Sequence, residues 1–363
     1  MSKKNRLPVT GRLSRIAGIS MIYVIISQAC DQKKVPLTAD YSHGILITNE
    51  GAFNHNNGTL SFYNPSGNML TNDIFYASNH RALGDIVQSF TEMNGKGFIV
   101  VNNSEKIEVV KTSDFSSIGT MQASYPRFLI PVDSARAYLT NGSFPGQVLV
   151  VNTLALAITD TIWVGNQPEH LLKVGNNVLV ANGKWGNDST ISVIDAGTDQ
   201  LLENVYIGDG PSNLVEGKDH SVWVLCEGIN QYSGKPETNS SLVKIDAGTY
   251  NILSATVVGQ MGDGYNPYLL ARDNNGNIYY VEADGVHKVE QPSSSINDQL
   301  LINWHNSSES IIYGLAVDQQ TGNLYVLEAK GFASAGMLHV YDPSGSELRS
   351  FEVGIAPNGA VAY

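Results

Sequence analysis

The chain has 363 residues, of which 42% are hydrophobic, 15% are charged and 35 are glycine. This is the composition of a globular protein with frequent turns, and the length is compatible with a single domain. The formal net charge of −12 argues against the basic face that phosphate binding requires, so we expect no nucleic-acid partner.

The N-terminus has the pattern of a bacterial targeting segment. Five basic residues precede an apolar stretch, residues 16–26, which is too short to span a bilayer comfortably. Ser27-Gln28-Ala29-Cys30 follows and resembles a lipobox, in which the cysteine is lipidated, although Ser27 stands where leucine is usual. We predict a lipoprotein signal peptide over residues 1–29, lipidation of Cys30 and a polar tether over residues 30–42. The alternative is an ordinary signal peptide that is cleaved nearby.

Processing at Cys30 would also change the charge. No acidic residue precedes Cys30, and five of the 22 basic residues do. The mature chain would therefore hold 17 basic and 34 acidic residues, a formal charge of −17.

A short apolar run closed by Asn, Glu or Cys recurs along the rest of the chain. Its copies cover residues 45–49, 98–102, 137–141, 178–182, 222–226, 278–282 and 324–328. Runs of this length, rich in Val, Ile and Tyr and followed by turn residues, are typical of buried strands. Seven strand-based copies at intervals of 39 to 56 residues indicate an all-β fold, a seven-bladed β-propeller over residues 43–363.

The flanking sequence predicts four antiparallel strands per blade. Each apolar run is followed by another strand that ends in an Asx-led turn, as at Asp195 and Asp246. One more strand comes after that turn. Pro126, Pro168, Pro211 and Pro267 introduce a further, innermost strand. The chain starts without such a strand and ends with one, so we expect residues 357–363 to complete blade one.

The sequence lacks the common catalytic signatures, such as a nucleophile elbow, a zinc-protease helix or a phosphate-binding loop. His170 is the histidine best placed for function, because it follows Pro168 where an innermost strand begins. The closing residues of the apolar runs allow two interpretations. They hydrogen-bond neighbouring loops, or they form a ring around a ligand or a hard cation such as Ca²⁺. Six of them are Asn49, Asn102, Asn141, Asn182, Glu282 and Glu328.

Large rings recur shortly after the apolar runs, on the face that we call the top. They are Phe53, Phe144, Trp185, Tyr232 and Phe332. They either pack against neighbouring loops or form a collar suited to a large planar ligand or a sugar. The loops that enter innermost strands add candidates for the same rim, which are Tyr125, Tyr265, His80 and Arg81, and Arg127 follows Pro126.

Several stretches resemble the YVTN/YncE-type propeller lipoproteins of Bacteroidetes. They include Ile47-Thr48-Asn49-Glu50-Gly51, Tyr125-Pro126-Arg127, Pro168-Glu169-His170 and Tyr313-Gly314-Leu315, and the similarity runs through nearly the whole mature chain. That group includes the BtuG surface proteins, which capture cobalamin and pass it to a TonB-dependent outer-membrane transporter. The resemblance implies a lipid-anchored, non-enzymatic protein at the outer membrane or cell surface that binds a large ligand. Cobalamin is the first candidate for that ligand.

Two other functions stay open at this point. A metal-dependent propeller enzyme of the lactonase or lyase type could use Glu282, Glu328 and the asparagines as ligands. A scaffold that binds a protein or polysaccharide would use the same face without chemistry, because one fold supports many functions.

Overall fold

The computed structural model describes residues 41, 43–231, 233–262, 267–291 and 298–362. Over these residues the chain forms seven four-stranded antiparallel sheets. The first strands of neighbouring sheets contact one another in a closed ring, so each sheet is one blade of a seven-bladed β-propeller. The predicted fold class is confirmed.

The strands of the first four blades are given from the axis outward. Blade one contains β28 (Pro357–Ala362), β1 (Ile45–Asn49), β2 (Thr59–Asn64) and β3 (Met69–Thr71). Blade two contains β4 (Val87–Met93), β5 (Lys96–Val101), β6 (Lys106–Lys111) and β7 (Ser117–Gln122). Blade three contains β8 (Pro126–Pro131), β9 (Arg136–Asn141), β10 (Gln147–Asn152) and β11 (Ala157–Trp163). Blade four contains β12 (Pro168–Val174), β13 (Asn177–Asn182), β14 (Thr190–Asp195) and β15 (Gln200–Tyr206).

The remaining blades follow the same order. Blade five contains β16 (Pro211–Glu216), β17 (Ser221–Cys226), β18 (Ser240–Asp246) and β19 (Ile252–Gly259). Blade six contains β20 (Leu270–Arg272), β21 (Ile278–Glu282), β22 (Gly285–Val289) and β23 (Asp298–Asn303). Blade seven contains β24 (Ile311–Val317), β25 (Leu324–Lys330), β26 (Ser334–Tyr341) and β27 (Glu347–Ile355).

The recurring apolar runs are the second strands of the blades. Every residue of β1 and of β17 is buried, because a blade is covered on both faces by its neighbours. One core cluster joins Leu179 and Ile191 of blade four to Val222 and Val224 of blade five. Burying a side chain of this size stabilises the fold by about 1.5–3 kcal/mol, and the repeat supplies such contacts at every blade boundary.

The C-terminal strand closes the ring as predicted. β28 pairs antiparallel with β1, with Ala362 opposite Ile45 and Gly359 opposite Thr48. It also contacts β24 of blade seven and β4 of blade two. The first and last strands of the described chain therefore share one sheet.

Two local features differ from the sequence expectation. A helix, α1 (Ile74–Asn79), follows the three-residue strand β3 and buries Ile74 and Phe75 against Leu60 and Phe62 of β2. In blade six the ladder begins only at Leu270, three residues after Pro267. No helix among the described residues is long and apolar enough to cross a membrane.

Candidate functional site

The first strand of a blade carries a β-bulge at its top end in six of the seven blades. In blade four, for example, Pro168 is opposite Asn182 and Leu171 is opposite Val180. Two residues of β12 therefore lie opposite one residue of β13. The same shift occurs in blades one, two, three, five and seven. A bulge bends the strand and redirects a side chain.

The bulges place one residue per blade at the top end of the channel. We call these residues and Tyr268, which follows Pro267 in blade six, the inner ring: Asn358, Gln88, Arg127, Glu169, Ser212, Tyr268 and Tyr313. Of these seven residues, only Arg127 was among the site residues predicted from the sequence.

A buried ion pair joins blades three and four within the inner ring. The Arg127 guanidinium donates from Nε to Glu169 Oε1 at 2.8 Å and from Nη2 to Oε2 at 3.0 Å, and a third donor reaches Gln88 Oε1. The side chains are 18% and 5% exposed. Burial raises the pKa of Glu169, but Arg127 and Lys184 together outweigh it and hold that pKa below the ordinary value.

Two further carboxylates reach the same region from the ends of second strands. Glu50 accepts hydrogen bonds from the Tyr313 hydroxyl at 3.1 Å and from Asn358 Nδ2 at 3.0 Å. Glu227 accepts a bond from the Trp185 backbone N–H at 3.2 Å. Burial raises the pKa of both carboxyls, although Arg127 and Lys184 oppose the shift.

Glu50 and Glu227 were not predicted as site residues from the sequence. They directly follow the closing residues Asn49 and Cys226, and an acidic residue immediately after a closing residue was the signal that could have found them. Cys226 itself is fully buried, and burial raises the pKa of its thiol to about 12.

Aromatic rings and one ammonium surround the charged groups. The Lys184 ammonium lies 5.0 Å from the centroid of the Tyr268 ring. His170 stacks on Phe128 with centroids 3.7 Å apart, and burial lowers the pKa of His170 to about 4. That imidazole is therefore neutral at pH 7, and it can accept or donate a hydrogen bond without adding charge.

The top-face loops present exposed rings beside this centre. Phe332 packs edge-on against Tyr313, with centroids 4.9 Å apart. Trp185 directly follows Lys184 and donates its backbone N–H to Glu227. The Tyr125 carbonyl accepts a bond from Gly142 N at 3.0 Å, which ties the Tyr125 loop to the loop that carries Phe144.

Three of these exposed rings sit on strained backbone. Tyr125, Trp185 and Phe332 have φ of 48°, 60° and 56°, a left-handed conformation that is uncommon for bulky residues. Phe115 and Tyr250 share that conformation, but their rings are buried in the core, which offsets the strain. The rings of Tyr125 and Trp185 are 60% and 50% exposed and lack such burial, and strain of this kind clusters at ligand sites.

The other predicted residues that the structure describes are attached to blades one and two. His80 ends α1, and Arg81 donates to Glu108 of β6 at 2.6 Å and to Ser117 of β7, the third and fourth strands of blade two. The expectation that they share the rim is wrong for Arg81, whose guanidinium is held by these outer strands. Phe53 is exposed in the β1–β2 loop, which is bound to blade two through Asn54 N and Asp85 Oδ2 at 2.8 Å. Tyr232, Tyr265 and Cys30 lie outside the described residues.

The side chains of the closing asparagines form hydrogen bonds with other groups of the blades. Asn49 donates to Ser61 at 3.0 Å, and Ser61 donates to Asn72 at 2.6 Å. Blade four repeats this arrangement with Asn182, Ser192 and Asn204 at 2.9 and 2.6 Å. We call such a polar chain across the second, third and fourth strands a blade relay. Asn102 and Asn141 instead bond Pro126 O and Gln147 Oε1.

The side chains of Glu282 and Glu328 also contact groups of the blades to which they belong. Glu328 accepts a bond from Ser310 Oγ at 2.6 Å and lies 3.4 Å from His339 Nε2 of β26. Glu282 lies beside His287 of β22. Each glutamate thus faces a histidine of its own third strand.

Fold and site together define a seven-bladed β-propeller that carries polar and charged side chains at the top ends of its innermost strands. Residues 43–354 match the protein family described as a domain of unknown function (DUF5074), and the chain belongs to that family. No curated protein matches the sequence.

Solved structures share the fold at low sequence identity. A quinonprotein alcohol dehydrogenase-like protein of Bacteroides thetaiotaomicron is 15% identical, with a TM-score of 0.66 over 89% of this chain and 79% of that one. Hydrazine synthase of Kuenenia stuttgartiensis is 15% identical, with a TM-score of 0.61 over 75% and 91%. The computationally designed Ika8 protein is 14% identical, with a TM-score of 0.55 over 90% and 95%.

Proposed function

We propose that the protein is a membrane-anchored, non-enzymatic binding protein that captures a large ligand at the top of its channel. The observation that carries this proposal is the set of exposed rings on strained backbone beside the inner ring. Rigid aromatic faces around a few fixed polar groups are the usual make-up of a ligand site.

Cobalamin is the first ligand to test. A corrin is large and planar, and amides line its edge. Trp185 and Phe332, which are 50% and 39% exposed, could stack on the plane. The resemblance to cobalamin-capturing lipoproteins supports the same choice, and it suggests a TonB-dependent transporter as the partner that receives the ligand.

Binding is favoured over catalysis by the partners of the carboxylates. Glu50, Glu169 and Glu227 all accept hydrogen bonds from protein groups. The glutamates considered for an enzymatic metal, Glu282 and Glu328, face histidines of separate blades. Turnover of a lactone that is lost on Glu328→Gln would favour the enzyme instead.

Replacing Trp185 with Ala tests the proposed face. Losing a stacking ring should cost on the order of 1–3 kcal/mol of binding free energy, as for an interface anchor. At roughly 1.4 kcal/mol per decade, we expect cobalamin affinity to fall about tenfold or more in calorimetric titration. Thermal unfolding should change little, because the side chain is half exposed.

Trp163→Ala is the matched control. Trp163 is 56% exposed against 50% for Trp185, but it lies at the end of the outermost strand β11 of blade three. Affinity that is unchanged in both variants, or reduced equally in both, would contradict the proposed face. If cobalamin does not bind the wild-type protein at all, the ligand is wrong, and the same pair of variants applies to the next candidate.

Membrane anchoring has its own test. Cys30→Ala should prevent lipidation and move the protein out of the membrane fraction, or leave the precursor unprocessed. Palmitate labelling of expressing cells is the measurement. Labelling that persists in this variant would show that the lipobox interpretation is mistaken, because the other cysteine, Cys226, is buried within β17.

A further inference from the structure

Blades six and seven have a different kind of blade relay. In blades one and four, Ser61 and Ser192 are opposite the residue two positions before the closing asparagine. The corresponding third-strand residues in blades six and seven are histidines, since His287 is opposite Tyr280 and His339 is opposite Val326. Where the third strand has histidine, the closing residue is glutamate.

The relay of blade six includes one more carboxylate. Asp284 lies in the two-residue turn between β21 and β22, and its Oδ1 is 2.8 Å from His287 Nε2. One ligand atom from each of Glu282, Asp284 and His287 lies within 4.8 Å of the others. An imidazole nitrogen and two carboxylates therefore converge at one point at the end of this hairpin.

The other ring nitrogen of His287 is also held. His287 Nδ1 lies 3.0 Å from Asp298 Oδ2, which in turn accepts a hydrogen bond from the Tyr280 hydroxyl at 3.1 Å. The His287 side chain is only 10% exposed. A metal-binding histidine usually donates its remaining N–H to a carboxylate, which fixes the tautomer and the ring orientation. Asp298 is such a carboxylate for His287, because it can accept a hydrogen bond from Nδ1–H. With the proton on Nδ1, the lone pair of Nε2 is available to bind the metal.

Charge balance favours a cation at this site. Glu282, Asp284 and Asp298 have no lysine or arginine within ion-pair distance in the described part of the chain, and the nearby Lys288 pairs with Glu290 at 2.9 Å. Blade seven provides the comparison. There Lys330 occupies the position two residues after the closing glutamate, as Asp284 does in blade six, and its ammonium lies 3.8 Å from Glu328. Blade seven has its own cation where blade six has a third carboxylate.

We propose that Glu282, Asp284 and His287 bind one divalent transition-metal ion, of the class of Zn²⁺ or Mn²⁺, with Asp298 as the hydrogen-bond partner that orients His287. One nitrogen ligand together with two carboxylates suits these ions, whereas Ca²⁺ and Mg²⁺ take oxygen ligands. Solvent completes the coordination, since Asp284 is 61% exposed. The site belongs to blade six alone and is independent of the ligand proposed for the channel.

Calorimetric titration of the purified full chain with Zn²⁺, after removal of metal with EDTA, tests this site. We expect one ion per chain. Asp284→Lys copies blade seven into blade six and should weaken binding at least tenfold, and His287→Gln should abolish it. Asp298→Asn should weaken binding about 10- to 100-fold, the usual effect of losing such an orienting partner. His339→Gln is the control in blade seven and should leave Zn²⁺ affinity unchanged.

Because Asp284 is exposed, Asp284→Lys should unfold like the wild type in the absence of metal, so its loss of binding can be separated from misfolding. The proposal is overturned by a wild-type chain that takes up no stoichiometric Zn²⁺, or by Zn²⁺ binding that survives both Asp284→Lys and His287→Gln. In either case His287 only forms hydrogen bonds with Asp284 and Asp298. Equal affinity for Ca²⁺ would refute the assigned class of metal.

Discussion

A chain that ends at Ala356 should fail to fold as a soluble propeller. The truncation removes β28, which pairs with β1 and contacts β24 and β4 on either side. It also removes Asn358, which donates to Glu50 and to the Val87 and Gln88 carbonyls. Loss of these contacts and exposure of the β1 edge should cost several kcal/mol. We expect insoluble protein, or a midpoint of thermal unfolding far below that of the full chain.

Moving the strand gives the matched control. Ala362 is opposite Ile45, so residues 357–362 placed before Tyr41 through a short Gly-Ser linker can form a hairpin with β1. This permuted chain should recover most of the stability, because it restores the strand with the same neighbours. If the truncated protein melts like the full chain, ring closure by β28 contributes little and the closure argument is wrong.

The repeated strands could be predicted from sequence because burial on both faces leaves a continuous apolar signal. The residues 45–49 and 278–282 were predicted as strands with the same bounds that the structure shows. The closing strand was predictable for a different reason, since Pro357 introduces it as Pro126, Pro168 and Pro211 introduce the innermost strands of other blades.

The centre of the site was less accessible to sequence reasoning. A bulge is a relation between two strands, and the register shift that redirects Arg127 and Glu169 leaves no mark in either strand alone. Arg81 was misplaced because the sequence does not reveal α1, which turns the chain toward Glu108. Short helices with little apolar periodicity give a weak signal.

The blade relays illustrate the same limit. The closing residues were recognised as systematic, but their partners lie on the third strand at a distance set by loop length. Asn49 meets Ser61 twelve residues on, Asn182 meets Ser192 ten residues on, and Glu282 meets His287 only five residues on. A search at fixed spacing cannot find such pairs, whereas strand register identifies them at once.

Arg127→Met should produce a large loss in the free energy of unfolding. The Glu169 carboxylate is 5% exposed and receives two hydrogen bonds from Arg127. Removing one partner of a buried ion pair leaves the other charge without compensation and costs about 3–5 kcal/mol. Urea unfolding at pH 7 measures this loss, and a change below about 1 kcal/mol would show that solvent or Lys184 compensates the carboxylate.

The pH dependence and a double variant identify the cause. The folded-state pKa of Glu169 is depressed, so the pair stabilises the wild type above the unfolded-state pKa of about 4.3. That contribution is lost as the pH falls through the folded-state pKa, and the difference between wild type and Arg127→Met should shrink in acid. Arg127→Met combined with Glu169→Gln should recover part of the stability at pH 7, because the Glu169 charge is removed together with its ion-pair partner. A double variant that is less stable than Arg127→Met alone would mean that the arginine acts through packing and not through its charge.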